Sequence, residues 1–167
     1  MRNARGIFFY MKNRIEEISE KRLVGKSLEM SLMENKTFEL WRSFMPVRNK
    51  INGTKSDFLY SVQVFPVDYY KNFSPATNFV KWAAMEVNEA NENFPEGMEM
   101  LVIPAGKYVV FEYKGLSNNR EVFQYIFDKW LPNSGYQLDD RPHFEVLGEK
   151  YKNNDPESEE EIWIPVK

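Results

Sequence analysis

Residues 141–151, RPHFEVLGEKY, place Glu145 between Phe144 and Val146 in a segment that reads as a strand. A carboxylate among apolar neighbours is costly unless it is paired or protonated. Burial would push its pKa upward. Two kinds of chemistry use such a group. It can attract a cation held by aromatic rings, or it can act as a general base toward water. The residues themselves leave both open. His143 precedes it on the same predicted side and reads as a partly exposed edge histidine rather than a catalytic partner.

The aromatic rings that either chemistry needs are abundant. Thirteen Phe, nine Tyr and four Trp make 16% of the 167 residues, more than a core of this size requires. Such a surplus suits either a Phe-rich core or a ligand pocket. Other chemistries are limited by what the chain lacks. It has no cysteine, so disulfides and thiolate zinc sites are excluded, and its one histidine leaves little for a metal site or a triad. No cofactor is expected. The net charge of −3 argues against nucleic acid as the main partner. No apolar run approaches the ~20 residues of a membrane span. GIFFYM (6–11) is too short and badly flanked for a signal peptide, so no membrane association and a cytoplasmic location are expected.

The elements that would position Glu145 come in two similar sets. ELWRSFMP (39–46) and YIFDKWLP (125–132) share a pattern at an offset of 86 residues. Both read as amphipathic helix ends closed by proline, over about 36–50 and 119–131. Asn118 with Glu121 resembles a capping box at the second helix start. Extended stretches precede the helices at 22–33 and 106–115. Others follow at 56–65 and 78–87, and at 141–149 and 160–167. Further strands are expected near 13–19 and 97–104. Each half, 12–95 and 96–167, therefore reads β-α-β-β. Residues 1–11 read as an N-terminal extension before a single domain over 12–167, and Met11 offers a second start. YKNNDPESEEE (151–161) reads as a solvated acidic loop.

Two such units bury their apolar surface most simply as an α+β fold. Duplicated β-α-β-β modules form one antiparallel sheet, with the two main helices on one face and a ligand groove on the other. Period two then assigns side chains to faces. Ile162, Ile164 and Val166 should meet the helices, as should Phe79, Ala83, Met85 and Val87. Trp163 and Trp82 should face the groove. Phe144 and Val146 are expected on the helix side, with His143, Glu145 and Leu147 on the groove side. Tyr60 occupies nearly the same place in its half as Glu145 does in the other. Its strand is ambiguous, because Phe58, Tyr60, Val62 and Val64 also suit a core. Tyr108 and Tyr113 alternate too weakly to assign.

NKTFELWRSFMP, LYSVQVF, FVKWAAMEV, WLPNSGY, RPHFE and the terminal IWIPVK resemble the GyrI-like family, also called AraC-type effector-binding domains. The resemblance covers about residues 12–167. It implies paired SHS2-like modules around an open groove that binds hydrophobic, often cationic, small molecules, with roles in transcription regulation and multidrug binding. By the same resemblance Glu145 lies at the groove floor, and Trp163 and Leu147 line it. The expected ligand-binding set is thus Glu145, Trp82, Trp163, Tyr60, Leu147 and Tyr113. Many family members carry a helix-turn-helix domain, which this sequence does not contain, so it resembles the stand-alone members. Some of these are similar to cyclopropanoid hydrolases, in which the same glutamate activates water. Whether the protein is an enzyme is left open by the sequence; Glu145 is the catalytic candidate if it is one. A third possibility, by analogy with members that inhibit a topoisomerase, is an interaction protein with Glu157–Glu161 as an acidic surface.

Overall fold

The computed structural model describes residues 11–88 and 93–167. The expected N-terminal extension, up to residue 10, lies outside them. Eight strands form one sheet: β1 (Lys12–Ile18), β2 (Lys21–Met30), β3 (Leu59–Val64), β4 (Phe79–Glu86), β5 (Glu99–Ile103), β6 (Gly106–Lys114), β7 (His143–Leu147) and β8 (Glu159–Pro165). Their order is β1-β6-β8-β7-β3-β4-β2-β5, and every pairing is antiparallel. The duplication is visible in this order. Strands β2, β3 and β4 of the first half match β6, β7 and β8 of the second. The halves meet at β3 and β7, and each lends its first strand to the other.

Short links force the sheet to curl. Only Pro104 and Ala105 join β5 to β6, yet these strands stand six places apart in the order. A flat sheet would separate them by roughly 29 Å at about 4.8 Å per strand. Three Cα steps span at most about 11 Å. Ser19 and Glu20 impose the same condition between β1 and β2. The sheet therefore bends around one face. That face is filled by Leu23, Tyr60, Val62, Trp82, Tyr108, Phe144 and Trp163, all under 10% exposed. Ile18 of β1 and Ile103 of β5 both join this cluster, which places the two edge strands around it.

The helices cover the other face in two places. The first is α1 (Thr37–Phe44), whose Leu40 and Phe44 pack with Val24, Ala83 and Met85. A 3-10 helix over Met45–Lys50 continues it, because Pro46 removes an amide hydrogen but tolerates the tighter turn. The second begins as α2 (Arg120–Tyr125), capped by Asn119, whose side chain accepts from the Glu121 amide at 3.1 Å. The cap is thus Asn119, not Asn118. A π-helical turn over Ile126–Trp130 leads into α3 (Leu131–Ser134). Pro132 does not end this helix as expected. The π-turn accommodates it, and the chain leaves the helix at Gly135, whose φ of 80° is left-handed. Val122 and Ile126 pack on Val109, Phe111, Ile162 and Ile164.

Arg141 links several segments of the second half. It bonds Asp139 at 2.8 Å, donates to the carbonyls of Lys107 and Val166, and stacks over Tyr108 at 4.7 Å. It ties the start of β7 to β6 and to the end of the chain.

Candidate functional site

Antiparallel partners share a face, so the register locates each side chain. Phe144 pairs with Trp163 and Val62, and Val62 pairs with Trp82. All four belong to the filled concave cluster. Glu145 pairs with Ser61 and Ile162, and Ser61 pairs with Ala83. Ile162 and Ala83 pack under the helices. The two faces of β7 are therefore reversed from the sequence reading. Phe144 and Val146 point away from the helices. His143, Glu145 and Leu147 point toward them.

The expected site residues divide accordingly. Glu145, Leu147 and Tyr113 lie on the helix side. Tyr60, Trp82 and Trp163 lie on the concave side, packed rather than lining an open groove. Trp163 stacks on Phe144 at 5.2 Å and donates to Glu161, while the Tyr60 hydroxyl bonds Glu86. The reason for the reversal is the position of β3 and β7. The helices pack over the flanking strands, α1 on β2 and β4 and α2 on β6 and β8. The central strands lie between the two helical segments, and there the helix side carries buried polar residues.

Those residues form one cluster. Glu145 is 8% exposed and accepts a hydrogen bond from the Gln63 amide at 3.1 Å. Burial raises its carboxyl from 4.5 to about 7, although Lys81, Gln63 and Ser61 favour the ionised form; Glu160 adds to the rise. Glu160 is also buried, and burial raises its pKa even though the Ser117 hydroxyl donates to it at 2.6 Å. Lys81 is partly buried. Burial lowers its pKa, against the raising effect of Glu145 and Glu160, and its ammonium bonds the Thr37 hydroxyl at 3.2 Å.

Sequence reasoning did not single out Glu160, Lys81, Ser61 or Gln63. Lys81 could have been found, since it has the same phase as Phe79, Ala83 and Met85. Glu160 is hidden in a run that reads as solvated.

Aromatic rings close one side of the cluster. Tyr70, from the segment joining β3 to β4, stacks on Phe127 of the second helix at 4.4 Å and on His143 at 5.6 Å. Phe65 meets the His143 ring edge-on at 4.9 Å. His143 is thus buried, not an exposed edge residue, and burial lowers its pKa to about 3, so it is neutral at pH 7. On the other side a cavity of about 700 Å³ opens, with Met11, Phe58, Tyr113, Val146 and Glu160 among its walls. It is open to solvent and largely lined by charged residues, and Glu160 belongs to both this depression and the cluster. Among the described residues no cluster has the composition of a metal site, and no helix is long and apolar enough to cross a membrane.

Known proteins share this architecture. The fold matches the C-terminal domain of EcmrR with a TM-score of 0.69 at 19% identity, covering 95% of this chain and 99% of that one. It matches SAV2435 bound to tetraphenylphosphonium with a TM-score of 0.68 at 15% identity, covering 94% of each. In sequence the chain is 30% identical over 158 residues to the transcriptional regulator BrlR of Pseudomonas aeruginosa. The match takes in 93% of this chain but only 56% of BrlR, so the chain spans little more than half of that relative. Residues 11–167 match the GyrI-like small molecule binding domain, and the chain belongs to that family.

Proposed function

We propose that this domain binds hydrophobic, cationic aromatic molecules at the Glu145 cluster, as a sensor or sequestering protein. One observation carries the reading. Glu145 is a buried carboxylate at the junction of the two halves, two residues along β7 from His143, whose ring is packed by Phe65, Tyr70 and Phe127, and burial has moved its pKa to about 7. Its charge is under-compensated in the free protein, so a ligand cation would supply what the fold withholds. The tetraphenylphosphonium bound by SAV2435 is a ligand of this kind. Leu147 and Tyr113 remain wall candidates; Tyr60, Trp82 and Trp163 support the sheet from behind. Isothermal titration with tetraphenylphosphonium tests the reading. Saturable binding should weaken about 10-fold or more in Glu145→Gln. No heat at high micromolar ligand, or equal affinity in the variant, would contradict it.

A second reading has support from the same pKa. A carboxyl near 7 is well matched to a general base at neutral pH. In that case the domain hydrolyses a strained cyclopropanoid electrophile, and turnover disappears in Glu145→Gln. Intact substrate after prolonged incubation with excess protein rules this out.

A further inference from the structure

The cluster contains a cation of its own, and its placement bears on which ligand fits. Lys81 sits on β4 opposite Gln63, and Glu145 sits on β7 opposite Ser61, so β3 separates them. Two strand spacings and an offset of two residues put their Cα atoms roughly 12 Å apart. Among the described residues, no carboxylate oxygen lies within 4 Å of the Lys81 ammonium; its bond goes to the neutral Thr37 hydroxyl. Glu145 likewise takes its hydrogen bond from a neutral group, Gln63. The two charges attract across the cluster but stand as separate poles with no close ion pair.

The direction of their titration agrees. A closed ion pair raises the pKa of its lysine and lowers that of its acid. Here burial outweighs the attraction: it lowers Lys81 and raises both Glu145 and Glu160, although Lys81 and the two acids each favour the other's ionised form. Each charge is buried more than it is compensated. A simple cation relieves the acids but adds repulsion toward Lys81.

We propose that the site is built for a zwitterion, an amphiphile whose cationic centre lies toward Glu145 and Glu160 and whose anionic group lies toward Lys81 and Thr37. This rests on the Glu145 cluster being the binding site, and it makes Lys81 the residue that determines specificity. Carboxylate, sulfonate and phosphate share the required chemistry. Their separation from the cation should be a few methylenes, shorter than the roughly 12 Å between the two Cα atoms because both side chains reach along the same face.

Matched ligands test this. One series carries benzyldimethylammonium with a carboxyalkyl chain of three to five methylenes. The control is benzyldimethylbutylammonium, which has the cation and no anion. In the wild-type domain, the best zwitterion should bind at least about 10-fold tighter than the control. Lys81→Met should abolish that preference while keeping or improving affinity for the control. Lys81→Arg, which retains the charge, should preserve the preference, so a variant that merely unfolds is recognised. Equal binding of zwitterion and control to wild type, or an unchanged preference in Lys81→Met, overturns the inference. If tetraphenylphosphonium still binds in a Glu145-dependent way in that event, only the zwitterion proposal falls. If neither series nor tetraphenylphosphonium binds, the reading of the site falls with it.

Discussion

Glu145 is held by the fold in a form that costs stability. Its folded pKa, about 7, lies above the ordinary 4.5. The folded state therefore binds this proton more tightly than the unfolded chain does. The stabilisation is fully present below pH 4.5 and is lost as pH rises through 7. The shift corresponds to roughly 3 kcal/mol at most. Glu145→Gln should accordingly raise stability by about 2 kcal/mol at pH 8 and change it little at pH 4.5, as measured by urea melts. His143 acts in the opposite sense. Its pKa is depressed from 6.5 to about 3, so its contribution is present above pH 6.5 and is lost as pH falls toward 3. In Glu145→Gln the compensation from the carboxylate is gone, and stability should decline steadily below pH 6.5. A flat profile there would mean that His143 is not buried as described.

At the scale of elements, much was readable from sequence, and the main failure is instructive. All eight strands and both helical segments fall close to their expected positions, because hydrophobic period is a local signal, while the prolines expected to close the helices lie inside them. The faces of β7 were not readable. Both sides of this strand are buried, one in the concave core and one between the helices, so alternation of apolar residues cannot tell them apart. Assigning aliphatic and aromatic residues to the helix side works for β8, where Ile162 and Ile164 do meet the helices. It fails for β7, where the helices leave a gap for polar groups. Glu160 was hidden for a different reason: only the curled sheet and Ser117 bring it inside. The aromatic segment joining β3 to β4 carries a testable flaw. The Tyr69 hydroxyl is buried with no partner among the described residues. Tyr69→Phe should therefore stabilise the domain by about 1 kcal/mol in a urea melt. A loss of stability would reveal a partner for that hydroxyl.

The whole molecule depends on exchange between its halves. β1 completes the sheet of the second half and β5 that of the first. Separate fragments 12–95 and 96–167 should each lack a cooperative melt, while the intact chain has one. Close packing between β2 and its neighbour β4 sets a second condition. A Cβ on Gly25 of β2 would press on the Ala83 carbonyl oxygen and lie 2.6 Å from the Ala84 Cα. Gly25→Ala should destabilise the fold by about 2 kcal/mol or more in denaturant. The curl also explains why the tryptophan-rich face is core and why the proposed ligand site lies on the helix side, where the halves meet over Glu145. The most direct measurement of that claim is the affinity for tetraphenylphosphonium, whose charge is fixed, between pH 5 and 9. In the wild-type domain affinity should rise with pH through about 7, as Glu145 ionises, and in Glu145→Gln the rise should disappear. A wild-type affinity independent of pH across that range, or a rise that persists in the variant, would contradict the account.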